Sequence, residues 1–473
     1  MDHENKQTKI PFKKSLAYGI GGLGEGIGYN FFFGYFLFFL TSIAGIPSAI
    51  AGTISMIAVV WDAVSDPLIG FLSDHSKNPK GRRRPFILKG SVLLGVSLIL
   101  LFTNLNISLG AKVAYYIVAN ILYWLGLTCS VIPHTSLGAE LTDDYNERTT
   151  LRAYQTFFMN IGAGVALSGT LMIVAFFKDR FSSDTYAWIA AGVFFGIVAF
   201  ISYFISYLAT KGSEPTGEAV KEAFAGKEKT HFFKEYASIL KNKPLRFVLS
   251  ADFAVNFVLG ISVSLRVFLY SFTFNFSEGL SSTLLLVYSG VIIVGVWLVD
   301  NLSKKIGKKN TMVVGLFTYA AGFFVAFFLP PTPVLIGFGL FLEAIGNCTF
   351  WTLLYSFAYD ASVVEQFKHG KGNEGIMVSM IGLIMKAANA IGMWIAGVGL
   401  SIIGFKEDAL TQAAGTQQGI KIMYCIFSGI ILLLGGLVFM KYPLTEDKYE
   451  KLKGINEAGH HEASDLEGLE KLI

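Results

Sequence analysis

Charge is scarce in this chain: only 15% of its 473 residues are Asp, Glu, Lys or Arg, against roughly 25% in soluble domains. Cysteine is scarcer still. Cys129, Cys348 and Cys425 all stand in apolar runs, with no CxxC pair, so they read as small buried hydrophobes and not as disulfides or metal ligands. No nucleophile–base set and no cluster at metal-ligand spacing stands out, and no substantial polar domain is present to hold one. These absences argue against an enzyme and assign no cofactor. A formal charge of +4 gives no basic excess of the kind nucleic-acid binding needs, and no such partner is expected. The polar, mixed-charge stretch from Met1 to Lys14 lacks the basic-then-apolar order of a cleavable signal peptide. The first apolar segment is therefore expected to act as the targeting signal.

What fills the chain is apolar sequence. Hydrophobic residues make up 53% of it, and the mean hydropathy is +0.54. Windows of about 20 mostly apolar residues, enough to span a bilayer as a helix, recur almost throughout. They lack the alternating polarity of barrel strands. The expectation is an all-α integral membrane protein with twelve transmembrane helices. Residues 1–209 read as an N-terminal six-helix bundle, 210–245 as a cytoplasmic linker, 246–441 as a C-terminal six-helix bundle, and 442–473 as a cytoplasmic tail. In that tail, His460 and His461 read as solvated. Lys77, Lys80, Arg82, Arg83, Arg84, Lys304, Lys305, Lys308 and Lys309 share one side with the linker, so both termini are expected in the cytoplasm of a cell (inner) membrane protein. A repeat supports the division. Asp74 and Gly81-Arg82-Arg83-Arg84 follow the second span just as Asp300 and Gly307-Lys308-Lys309-Asn310 follow the eighth, with the same spacing.

The most informative stretch is Trp61-Asp62-Ala63-Val64-Ser65-Asp66-Pro67. Asp62 and Asp66 lie four apart, on one face of a helix, inside a segment that should be in hydrocarbon. Two carboxylates are too costly there without an ion, a proton or a buried cation. Hard oxygen ligands suit sodium or lithium as well as a proton, so Asp62 and Asp66 are candidate ligands for such a metal ion. Ser65 adds a hydroxyl, and Pro67 removes the donor that would bond the carbonyl of Ala63. Lys386 lies deep in the eleventh span, with Asp62 and Asp66 as its candidate partners. Glu25 sits in a glycine-rich first span, either packed or lining a cavity. Arg266 reads either as an anchor for an anionic solute group or as the partner of an acid such as Glu25 or Glu343. Asp252, fourteen residues before it, stands about 21 Å away along the helix and cannot pair with it. His134 beside Pro133 reads as a packed histidine.

Asp62-x-x-x-Asp66-Pro67, Gly70-x-x-x-Asp74 and Gly81-Arg82-Arg83-Arg84-Pro85 resemble the glycoside–pentoside–hexuronide:cation symporters of the major facilitator superfamily, typified by melibiose permease. Ile132-Pro133, Ser136-Leu137, Glu147-Arg148, Phe350-Trp351, Asp360 and Lys386 extend the match over the whole membrane domain. The resemblance implies the major facilitator fold and an alternating-access symporter that takes a small sugar-like solute together with sodium or a proton, in contact with membrane lipid. It implies that Asp62, Ser65, Asp66 and Thr128 bind the cation, and that Lys386 and Trp351 serve the solute, alongside Glu25 and Arg266 as candidates. Asp74, Arg82, Arg83 and Arg148 are expected to gate the cytoplasmic face together with Asp360. Ser65 stands where the family usually has Asn. The melibiose-type sugar contacts on helices one, four and five fall on Gly26, Val131, Thr135 and Thr156, which lack the side chains to hold a galactoside. The run of Phe31, Phe32, Phe33, Phe38 and Phe39 would instead suit an amphipathic solute such as a lysolipid.

Overall fold

The computed structural model describes residues 10–74, 76, 78, 80–138, 140–142, 145–213, 239–369, 373–407, 409–458 and 469. Most of the expected linker, the end of the tail and His460–His461 therefore lie outside the described residues. Among those described there is no strand. The chain divides into two compact units, Met1–Lys227 with Lys406–Ala409, and Glu228–Phe405 with Leu410–Ile473.

In the first unit a short helix α1 (Phe12–Gly19) leads into α2 (Gly21–Phe38). It is followed by α3 (Ser48–Asp74), α4 (Arg84–Leu101), α5 (Leu109–Gly138), α6 (Tyr145–Phe181) and α7 (Asp184–Ala209). The second unit holds α8 (Lys243–Phe268), α9 (Glu278–Ile306), α10 (Lys308–Phe328), α11 (Pro333–His369) and α12 (Glu374–Ile402). It ends with α13 (Ala414–Lys421), α14 (Ser428–Phe439) and the polar α15 (Glu446–Ala458). Eleven spans among the described residues are long and apolar enough to cross a membrane. The twelfth expected span is α3, 27 residues or about 40 Å long. Its apolar half is Ser48–Ile57, and its second half carries Asp62, Asp66 and Asp74.

Local chemistry sets the ends. Asn242 caps α8, its Oδ1 accepting from the Leu245 amide at 3.1 Å, and Pro244 opens the helix. The repeated Gly81 and Gly307 both have positive φ, 107° and 80°, a backbone that glycine adopts without a Cβ penalty. The matching punctuation in the two halves thus reflects the same turn. Each unit's first long helix also ends in a five-residue π turn, Phe39–Ile43 and Leu269–Thr273.

Small residues decide how closely the helices pack. A Cβ on Gly26 would lie 2.0 Å from the Met159 carbonyl oxygen, and one on Gly22 would lie 2.2 Å from that of Gln155. Helices α2 and α6 therefore touch backbone to backbone. Gly26→Ala is expected to destabilise the protein by about 3 kcal/mol, the upper end of overpacking. Gly169→Ala on α6, whose nearest neighbours would be 3.9 Å away, should leave it unchanged. Thermal unfolding of the two detergent-purified variants checks this; equal melting temperatures would refute the contact.

The aromatic run of α2 is core. Phe31, Phe32 and Phe39 are fully buried. Phe31 stacks on Phe102 at 3.9 Å, and Phe32 stacks on Tyr123 at 5.1 Å. Phe33 and Phe38 contact Trp124 and Trp188 at 6.0 Å each. The case for an amphipathic solute rested on these rings, and the ones that are fully buried are spent on packing. Exposed apolar side chains lie elsewhere, such as Val294 and Trp297 on α9, the latter 80% exposed, as a lipid-facing surface requires.

Candidate functional site

Helix α3 runs through Pro67 without a break and packs on α5. The four cation candidates meet at that contact. Thr128 Oγ1 on α5 lies 2.9 Å from Asp62 Oδ1 and 3.0 Å from Asp66 Oδ1. Ser65 Oγ is 3.4 Å from the same hydroxyl and donates to the Asp62 carbonyl at 3.3 Å. Asp62, Ser65 and Thr128 are buried, at 1–2% exposure, and Asp66 is half-buried. A threonine hydroxyl has one proton to donate, so it serves one carboxylate at a time while both converge on it. The result is a set of hard oxygens, two of them from groups that are anionic when ionised. Such a set fits a sodium or lithium ion or a proton. Among the described residues no three His, Cys, Asp or Glu side chains come together as a transition-metal set.

Glu25 lies in the same unit, buried on α2, and Gln155 Nε2 donates to its Oε2 at 3.1 Å. Gln155 also donates to Thr135 Oγ1 at 3.1 Å and accepts from Tyr18 and Arg152 at 3.3 and 2.9 Å. Gln155, next to Thr156, is not among the residues expected at the site. An amide inside an apolar run was the available signal. Gly26, by contrast, has no room for a side chain; the acid of α2 stands beside it, at Glu25. His134 stacks on Tyr18 at 4.4 Å and pairs with Ser206 Oγ at 2.9 Å, a packed histidine.

Arg266, Trp351 and Lys386 belong to the second unit. Arg266 Nη2 pairs with Glu343 Oε2 at 3.2 Å, and its Nε donates to the Tyr424 hydroxyl at 3.0 Å. That hydroxyl reaches Glu343 Oε2 at 3.3 Å, and the Tyr288 ring lies 5.0 Å from the guanidinium carbon. Of the two expected readings, the structure shows the acid partner, Glu343. Trp351 is half-buried on α11, edge-to-face with Phe350 at 5.3 Å, and Lys386 is half-buried on α12.

The charges expected at the gate find partners within their own units. Arg82 and Arg83 both meet Glu140, the latter at 3.1 Å. Asp360 meets Lys308 at 2.8 Å, and Arg148 donates to the Thr142 carbonyl at 2.8 Å. Arg84 donates to the Tyr207 carbonyl at 2.8 Å while lying over its ring at 4.3 Å. The Asp74 side chain lies outside what is described.

Known proteins resemble this chain in sequence and fold. The family model described as MFS/sugar transport protein matches residues 17–446. Among related proteins, an uncharacterised symporter of Bacillus subtilis, YjmB, is 27% identical over 94% of this chain and 95% of its own length. The isoprimeverose transporter of Lactiplantibacillus pentosus is 25% identical over 88% of this chain and 86% of its own. A putative sulfoquinovose importer of Escherichia coli is 26% identical over 95% and 94%. The fold is that of solved carriers. The inward-open xylose transporter XylE of E. coli superposes with a TM-score of 0.64 at 15% identity, covering 93% of this chain and 98% of that one. A bacterial homologue of the lysosomal transporter Spinster gives 0.66 at 13%, covering 92% and 97%. The family match and the spans together define a multi-pass membrane transporter of the major facilitator type, not an enzyme. The chain belongs to the MFS/sugar transport protein family.

Proposed function

We propose that this protein is a cation-coupled, alternating-access symporter of a sugar-like solute in the cytoplasmic membrane, with both termini in the cytoplasm and the six-helix bundles at 1–209 and 246–441. The carrying observation is the pair of carboxylates converging on the single Thr128 hydroxyl. A cation, sodium or a proton, offsets the cost of holding two acids in a largely buried helix contact. It travels as cargo and is not a resident cofactor. The names of the relatives support a sugar or glycoside as the solute, and the commitment of the α2 aromatics to packing favours that class over a lysolipid. Lys386 and Trp351 are assigned to the solute. Arg82, Arg83, Arg148 and Asp360, with Asp74, are assigned to cytoplasmic gating.

The test is the thermal stability of purified protein in sodium, lithium or choline chloride and across a pH series. A bound ion at a hundred times its Kd adds about 2.7 kcal/mol, a shift of several degrees. Thr128→Val removes one oxygen ligand and should raise the ion concentration needed at least about tenfold. A wild-type protein indifferent to sodium, lithium and pH would overturn the assignment.

A further inference from the structure

A second buried carboxylate stands apart from the cation site, on α8 in the other unit. Asp252 is fully buried, and the polar atoms around it form a directional chain. Asn256 Nδ2 donates to Asp252 Oδ1 at 2.8 Å and to the Asp252 carbonyl at 3.0 Å. Both its N–H groups are thereby spent on Asp252. Its Oδ1 faces α12 and accepts from Asn389 Nδ2 at 3.0 Å. The same nitrogen of Asn389 donates to the Met385 carbonyl at 3.1 Å, so its two N–H groups are spent as well. What remains is Asn389 Oδ1.

The direction of this chain follows from chemistry. Asp252 Oδ1 accepts from Asn256 Nδ2, so Asn256 turns its nitrogen to Asp252, which leaves its oxygen toward Asn389. Asn389 must then present its nitrogen inward and its oxygen outward. The helix contact holds the register. A Cβ on Gly260 would lie 2.2 Å from the Asn389 carbonyl oxygen, and one on Gly392 would lie 2.4 Å from that of Phe257. Asn256 is fully buried, while Asn389 is half-buried. It sits three residues after Lys386, on the same face of α12. Building a buried carboxylate, a buried amide and a half-buried one into a membrane helix pair only to hold one outward oxygen is costly unless that oxygen is used.

We infer that Asn389 Oδ1 is a solute-binding atom, accepting a hydrogen bond from a hydroxyl of the transported polyol, and that Asp252 and Asn256 are positioning residues that keep it facing outward. This rests on the sugar-symporter reading above. An acceptor fixed in this way admits a hydroxyl and disfavours a solute that presents a bare carbonyl or an apolar edge there. The spacing Asp252-x-x-x-Asn256 repeats that of Asp62-x-x-x-Asp66, with an amide in place of the second acid.

The experiment uses the full-length purified protein in saturating sodium. Thermal shifts are recorded with a panel of D-xylose, D-glucose, D-galactose, D-glucuronate and their methyl glycosides, and the probe giving the largest wild-type shift is titrated. Asn389→Ala is expected to raise the half-saturating concentration of that probe about tenfold or more, with an unchanged response to sodium. Asp252→Leu should do the same. Asp252→Asn should restore most of the affinity, because an amide oxygen still accepts from Asn256. A merely structural role would lower the melting temperature of the solute-free protein and leave the half-saturating concentration where it was. That result, or wild-type affinity in Asn389→Ala, overturns the inference alone. A wild-type protein that responds to no panel member overturns the sugar reading and the inference with it.

Discussion

Asp66→Asn is expected to abolish cation-driven uptake while leaving the protein folded in the membrane. The substitution keeps the shape of the side chain and removes its charge. Thr128 Oγ1 still has an oxygen to face at the Asp66 position and Asp62 Oδ1 at 2.9 Å, so the α3–α5 contact survives. The ion, however, loses one of its two anionic ligands. Truncating one partner of a desolvated charge pair costs about 2–5 kcal/mol, and each 1.4 kcal/mol is a factor of about ten. Apparent ion affinity should therefore fall at least about a hundredfold. Without the ion, the variant should be as stable as the wild type or more so, because relieving a like-charged pair in hydrocarbon is favourable. Uptake into proteoliposomes under imposed sodium or proton gradients, together with ion-dependent melting, checks both halves. Gradient-driven uptake at the wild-type rate would remove Asp66 from the coupling site. Asp62→Asn should be at least as severe, since Asp62 is 1% exposed and Asp66 is half-buried.

The second large effect concerns Arg266 and Glu343. Their side chains are 4% and 1% exposed, and the Tyr424 hydroxyl bridges the two. Removing either partner leaves a full charge buried among aromatic rings. Glu343→Leu or Arg266→Leu is expected to cost about 3–5 kcal/mol and to lower the yield of folded carrier. The double substitution Arg266→Leu with Glu343→Leu discards both charges at once and should recover most of that loss. Urea- or heat-induced unfolding of the four proteins forms a double-mutant cycle. Additive losses would show that the two residues act separately. Recovery would make the pair a structural element of the second unit.

The sequence carried much of this in one dimension. A carboxylate four residues from another shares its helix face whatever the tertiary structure, so Asp62 and Asp66 were legible as a pair before any fold. Length and apolarity placed the spans, and α3 was recognisable although its acids lower its hydropathy. Glycine punctuation at Gly81 and Gly307 exposed the duplication because a positive φ leaves few other choices. Thr128 was reached only through family resemblance, since nothing within α5 distinguishes it from other hydroxyls.

What the sequence by itself determined is a twelve-span membrane carrier with a paired acid on its second span. Only the tertiary structure decided which polar groups meet. Gln155 on Glu25, Glu343 on Arg266, and Asn389 on Asn256 all join different helices, and helices that are apolar all round carry no pattern specifying which face turns to which neighbour. Backbone-close glycine contacts set that rotation. They bring Gln155 to α2, where Gly22 and Gly26 leave no room for anything but backbone, and they bring Asn389 to Asn256 beside Gly260. The phenylalanines of α2 make the same point from the other side. Composition marked them as suited to an amphipathic solute, and packing made most of them core, because a ring that finds another ring across a helix contact is no longer a surface.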